Sequence, residues 1–399
     1  MTSTVADRMK EIEGSITLTI TALAKQMKKE GIKVLSFSAG EPDFATPKNI
    51  QDAGIKAIKE GRTGYTPATG IMELKEVICQ KLKKDNNLDY KPENIVVSCG
   101  AKHSIFNALF AIINPGDEVI VPSPYWVSYP HQVRLCGGRP VFLTTDASTG
   151  FKVKKEQLQK IITPKTKAIF LNSPSNPTGA VYTKSDLEEI AGVLLENKIN
   201  IISDEIYEKL VYEGTEHISI ASFSNEIKEQ TIVVNGVSKA YSMTGWRIGY
   251  LAANLEITKA ISKIQGHTTS NPTTPAQWAS VEALLNSESD VLKMREQFNE
   301  RRKFMLNGLN NINGLTCNEP QGAFYAFPDI TVFIGKKCKS GLIKDSVDLC
   351  KFLLQEAHVA CVPGAGFGQE GYLRLSYAAS LDDIKEGLSR IENWLNSLN

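Results

Sequence analysis

Long apolar runs are missing from this chain. Its longest apolar stretches fall well short of the roughly 20 residues needed to cross a bilayer, so the sequence predicts no membrane partner. Paired cysteines are missing too. Cys79, Cys99, Cys136, Cys317, Cys338, Cys350 and Cys361 are odd in number and form no C-x-x-C pair. That predicts free thiols in a reducing compartment. The five histidines stand apart, with no H-E-x-x-H helix, so no protein metal site is expected. Charge of one sign is not in excess: 45 Lys and Arg face 44 Asp and Glu. A net charge of +1 leaves nothing to neutralise a nucleic-acid backbone. Internal repeats and low-complexity tracts are absent as well. The first residues lack the apolar core of a secretory signal, and Glu11 and Glu13 spoil a transit peptide, which predicts a cytoplasmic protein.

What is present is a large, ordinary globular composition. Hydrophobic residues make up 42% of 399 residues, enough for two or three domains with packed cores. Residues 15–31 read as a lightly packed arm running into a helix that stops at Gly31. From about residue 72 to 260, short apolar strands alternate with helical patterns. The strands expected are Ile95–Ser98, Glu118–Val121, Lys167–Leu171, Asn200–Ser203, Thr231–Asn235 and Ile248–Leu251. Strands separated by helices predict right-handed βαβ units and a mostly parallel sheet covered by helices, an α/β fold. Ligands of such sheets sit where strands end. A long helix near 290–311 leads into a smaller α+β region.

The residues just past the expected strand ends carry the chemistry. Gly236-Val237-Ser238-Lys239-Ala240-Tyr241-Ser242-Met243-Thr244-Gly245-Trp246-Arg247 follows an apolar strand and holds two cations eight residues apart. A lysine desolvated there has a lowered pKa and a neutral amine ready for a Schiff base. Taken alone, a solvated surface lysine is the commoner case. Asp204 ends another strand, where it either caps a helix or meets a cation. Tyr207 falls one turn later if the segment is helical. Asn176 lies between Pro174 and Pro177, on a stiff loop. Gly100-Ala101-Lys102 joins a strand to a helix, and amides at a helix start suit phosphate. The loop Pro363-Gly364-Ala365-Gly366-Phe367-Gly368 lacks a strand–turn–helix setting and reads as plain loop.

The Lys239 segment resembles the lysine-attachment signature of the class I, fold-type I aminotransferases. Ala39-Gly40-Glu41-Pro42-Asp43-Phe44, Ser123-Pro124-Tyr125-Trp126, Asn172 to Gly179, Ser203-Asp204-Glu205-Ile206-Tyr207 and Arg374-Leu375-Ser376-Tyr377 resemble that family's other blocks, in its order. The resemblance spans nearly the whole chain and is strongest to the bacterial-type aspartate aminotransferases. It implies a pyridoxal 5'-phosphate enzyme in which Lys239 carries the cofactor as a Schiff base and Asp204 pairs with the pyridine nitrogen. It implies that Tyr207 and Asn176 bond the cofactor's 3' oxygen and that Trp126 stacks on its ring beside the substrate. Gly100, Ala101 and Lys102 would form the phosphate turn, joined by Ser238 and Arg247. Tyr65 would reach the phosphate of a neighbouring subunit, implying a homodimer with shared sites.

On the substrate side, the resemblance assigns the α-carboxylate to Arg374, with Gly40 and Asn176 beside it. Lys102 is the candidate for a distal carboxylate, and Ser15 and Thr17 for closing that pocket. Glu13 stands where prephenate-using relatives carry a basic residue, which argues against prephenate. The division implied is 1–48 for an arm and small-domain segment, 49–290 for a large cofactor domain and 291–399 for a small domain. The expected reaction is aspartate with 2-oxoglutarate by a ping-pong route. An aromatic or alanine-type aminotransferase, or another pyridoxal-phosphate reaction on the same fold, is the nearest alternative. A Ser238–Lys239 hydrolytic pair or a non-catalytic regulatory domain is more remote.

Overall fold

In the computed structural model, residues 4–14 and 16–399 are described, the side chains of Thr17 and Leu18 excepted. Ser15 and the Thr17 side chain, expected to close the substrate pocket, lie outside the described residues. A seven-stranded sheet organises the molecule. With the two-residue strand Leu35–Ser36 counted as β1, its members are β2 (Ile95–Ser98), β3 (Glu118–Ser123), β4 (Arg139–Thr144), β5 (Thr166–Asn172), β6 (Asn200–Asp204), β7 (Thr231–Gly236) and β8 (Gly249–Ala252). Their order across the sheet is β2-β8-β7-β6-β5-β3-β4.

The strands form where apolar, largely β-branched residues run without interruption, as expected of strands buried on both faces. The pleat then sorts them. Val96, Ala168, Phe170, Ile202, Ile232, Val234 and Leu251 enter one core. Their alternating neighbours Ile169, Leu171 and Ile201 enter a second, on the other face. Ile95, Val97, Val233 and Tyr250 enter a third. Helices cover both faces, among them α3 (Met72–Asn86), α4 (Ala101–Ile112), α5 (Ser128–Leu135) and α7 (Lys184–Glu196), after α1 (Ile16–Lys29) and α2 (Lys48–Lys59) and with α6 (Lys155–Ile161) between. α7 starts at a capping box: Thr183 accepts from the Asp186 amide, and Asp186 accepts from the Thr183 amide at 3.0 Å.

Two elements differ from the sequence reading. β8 is antiparallel to both β2 and β7, so six strands share one direction and β8 opposes them. Residues 237–248 cross from β7 to β8 with only a short 3-10 turn at Thr244–Trp246. Without a helical crossover the chain reverses into its neighbour. β4 was not anticipated. It is an edge strand, half exposed and containing Pro140, which weakens the apolar signal there. The expected arm at residues 15–31 is helical from Ile16, held by Ala24 against Val34, Leu354 and Ala360.

The long helix Glu288–Asn311 leads to the C-terminal region. There a three-stranded sheet orders Val362–Pro363, Leu373–Ser376 and Tyr325–Ala326. β1 pairs in parallel with Val359–Ala360. Leu35 and Phe37 share a core with Phe298, Leu375 and Trp394, so this early segment packs with the end of the chain. Among the described residues no helix is long and apolar enough to cross a membrane.

Candidate active site

Because six strands point the same way, their C-terminal ends meet along one edge of the sheet. β2 ends before Gly100, β3 before Trp126, β5 before Asn176, β6 at Asp204, and β7 before Ser238 and Lys239. β8 runs backwards, so its start delivers Arg247 to that same edge. A cleft of about 460 Å³ opens there. Gly40, Ala101, Lys102, Trp126, Asn176, Asp204, Tyr207, Ser238, Lys239, Arg247 and Arg374 all line it. Gly100 lies behind it as the residue before α4. Tyr65 does not line this chain's cleft and is 92% exposed.

Lys239 is partly buried, and its Nζ donates to the Gly40 carbonyl at 2.5 Å. Burial, then the nearby charge of Arg374, lowers its pKa to about 8, against the raising influence of Glu41 and Asp204. Asp204 is 4% exposed. Its Oδ2 accepts from the Tyr129 hydroxyl at 2.7 Å and its Oδ1 from the Ile206 amide at 3.3 Å. Burial raises its pKa to about 6, with the Tyr129 bond pulling the other way. No helix follows Asp204, and residues 206–209 are turn rather than helix. The cap reading for Asp204 and the helical spacing to Tyr207 both fail for that reason. Tyr207 instead shares a hydroxyl–hydroxyl bond of 2.8 Å with Tyr325.

Arg374 is 2% exposed. It donates to Asn176 Oδ1 at 3.0 Å and to the Ser38 carbonyl at 2.8 Å. Its guanidinium lies 4.5 Å from the centre of the Tyr325 ring and 5.0 Å from that of Phe367. Its Nε has no partner, and among the described residues no carboxylate pairs with it. A buried guanidinium without a counter-ion is costly, and the side facing the cleft suits a carboxylate ligand. Asn176 is held by its own amide, which donates to Asn172 Oδ1 at 2.8 Å.

The turn after β2 suits a phosphate. Gly100 has φ +90°, and a Cβ there would lie 2.4 Å from Arg247 Nη2. Gly249 lets β8 pass the same turn, where a Cβ would lie 2.1 Å from the Ala101 nitrogen. Among the described residues Arg247 donates to the carbonyls of Thr244 and Cys99 and meets no carboxylate, so its charge stands beside the start of α4. Lys102 Nζ sits 4.9 Å from the centre of the Trp126 ring, and burial and Arg247 lower its pKa. The Gly-rich loop packs on the Trp126 segment, Tyr125 donating to the Phe367 carbonyl at 3.0 Å.

Sequence reasoning missed Tyr129, Tyr325, Ser38, Thr21 and Lys25, which also line the cleft. Tyr129 lies in the first turn of α5, and no local pattern in the sequence marked it. A separate buried cluster joins Glu205, Glu208 and His217 behind β6. Lys81 forms an ion pair with Glu208, so a lysine ammonium meets this charge.

The chain as a whole is similar to known proteins. The pattern described as aminotransferase class I and II matches residues 32–391. An aspartate aminotransferase of Bacillus sp. (strain YM-2) is 50% identical over 396 residues, 99% of this chain and all of that one. The crystal structure of the aspartate aminotransferase from Rhizobium meliloti superposes with a TM-score of 0.96 at 44% identity, covering both chains in full. That of Thermus thermophilus, solved with maleate, gives 0.92 at 41% identity over 98% of this chain and 99% of that one. The chain belongs to the class I and II aminotransferases, with the fold-type I architecture of these neighbours, and is an aminotransferase.

Proposed function

We propose that this chain transfers the amino group of aspartate to 2-oxoglutarate, giving oxaloacetate and glutamate, with pyridoxal 5'-phosphate held through Lys239. The observation that carries the reading is the convergence of a buried, unpaired Arg374 with a lysine of lowered pKa and a buried carboxylate in one cleft. The donors fit the cofactor. The amides at the start of α4, Ser238 and Arg247 would hold its phosphate, Asp204 its pyridine nitrogen, Tyr207 and Asn176 its 3' oxygen, and Trp126 its ring face. Pyridoxal phosphate, when bound, supplies a carbonyl carbon for the amino group and a ring that draws electrons from the substrate Cα.

The chain's own groups do the rest. Arg374 grips the α-carboxylate in a planar fork and, with Gly40 and Asn176, fixes which Cα bond faces the ring. Lys239 Nζ, displaced by the incoming amine, takes the Cα proton as general base. Lys102, at the cleft wall, offers its charge to a distal carboxylate. Both half-reactions share this site, so the kinetics are ping-pong. The reading extends to a homodimer in which Tyr65 serves the neighbouring subunit, supported by its exposure and by the exposed Ile55 and Ile58 close to it in sequence. Seven free thiols support a reducing, cytoplasmic setting. The shared core of Leu35 and Phe37 with Trp394 supports the division 1–48, 49–290 and 291–399.

The test is the visible absorbance of the purified protein during aspartate addition. A yellow protein whose band shifts on aspartate is expected, and Lys239→Ala should lose turnover by a factor of at least about 10⁴. Normal turnover in Lys239→Ala, or rates on alanine or phenylalanine equal to those on aspartate, would overturn it.

A further inference from the structure

Tyr129 has no role in the proposed reaction, yet among the described residues it is the one side chain whose hydroxyl donates to the Asp204 carboxylate. Its phenol is 2% exposed. One face stacks on Phe170, centroids 4.2 Å apart and planes 14° apart. The ring also meets Trp126 edge-on at 5.3 Å and 80°. These two neighbours fix the plane of the phenol, and α5 fixes its depth. Its oxygen therefore has one direction, toward Asp204 Oδ2 at 2.7 Å. A tyrosine that served packing alone would leave its hydroxyl on any buried acceptor. Here it leaves Asp204 Oδ1 with a single long bond, 3.3 Å from the Ile206 amide.

From this geometry we infer that Tyr129 is a positioning residue for the cofactor: it pins Asp204 in its ionised form and leaves Oδ1, engaged by one long amide bond, to accept from the pyridine nitrogen. The inference rests on the cofactor reading given above. Tyr129 comes from α5 and Asp204 from the end of β6, so the bond ties the helix bearing on the Trp126 wall to the strand end beneath the ring. The charged and titratable groups facing Asp204 are Tyr129, Tyr207, its neighbour Glu205 and Lys239, with the Ile206 amide. Lys239 in turn faces Arg374, Glu41 and Arg247. A hydrogen bond to a carboxylate favours its charged form. Without it the proton shared with the pyridine nitrogen moves toward Asp204, and the ring withdraws fewer electrons from the nitrogen of Lys239. That nitrogen then holds its proton to higher pH.

Tyr129→Phe keeps both ring contacts and removes the hydroxyl alone. The readout is the pH midpoint of the visible band of the cofactor-loaded protein, with no substrate present. The midpoint should rise by about half a unit or more, and kcat on aspartate should fall about tenfold with KM little changed. The melting temperature of the cofactor-free variant should stay within about 3 °C of wild type. In an Asp204→Asn background, Tyr129→Phe should add no further shift, because the two act through one bond. A Tyr129→Phe midpoint equal to wild type, or an equal shift with Asn at 204, overturns the inference. Failure of the cofactor reading shows separately, as a wild-type protein with no visible band.

Discussion

Lys239 sits where its ammonium is poorly solvated, and the direction of its titration follows. Burial and the charge of Arg374 disfavour the protonated form, so the neutral amine is present above about pH 8. The uptake of pyridoxal phosphate by cofactor-free protein should therefore quicken with pH up to about 8 and level off above it. An ordinary lysine would keep gaining to about 10.4. Stopped-flow absorbance measures this, and a rate still climbing tenfold per unit at pH ~9.5 would contradict the burial argument. Arg374 shows the same physics in the opposite role. Its charge persists, so the cost of burying it falls on the ligand-free protein and is offset when a carboxylate arrives. Lys239 was legible in the sequence through its block of neighbours. Tyr129 was not, since its partner Asp204 is 75 positions away and no local pattern links them.

At the scale of elements, the turn between β2 and α4 is the tightest constraint. Gly100 holds a left-handed φ of +90° while the Arg247 guanidinium lies against it. Gly100→Ala adds backbone strain of about 1–3 kcal/mol and forces Arg247 off the turn. The expected result is weaker cofactor retention, by about tenfold or more in the dissociation constant, with the sheet intact. Equilibrium dialysis against pyridoxal phosphate measures it; unchanged affinity would show that this turn does not serve the phosphate. Strands β2, β3, β5, β6 and β7 were legible because fully buried strands are continuous apolar runs. β4 was not, because an edge strand with a proline carries a diluted pattern.

For the whole molecule, the question is which chain Tyr65 serves. It is 92% exposed and away from its own cleft. If it completes the neighbour's site, mixing Tyr65→Ala with Lys239→Ala chains restores one intact site per mixed dimer. Activity at limiting cofactor should then exceed the sum of the two parents, reaching up to about half the wild-type rate per mixed dimer at one good site of two. Purely additive activity after exchange of subunits would place Tyr65 in its own chain's site or in none. The order of residues was enough for the class of strands and helices, for the blocks that resemble the family, and for Lys239, Asp204, Asn176 and Arg374 as candidates. Local periodicity suffices for the elements, while the candidates stand out only through the resemblance of those ordered blocks, since residue chemistry alone left Lys239 a solvated lysine. Tertiary structure alone decided that β8 reverses and so brings Arg247 to the edge where Lys239 sits. It alone decided that Arg374 meets Asn176 across 198 positions and that Tyr129 aims at Asp204. Those facts depend on how elements distant in sequence pack together, and burial, which sets the pKa of Lys239, exists only once they have packed.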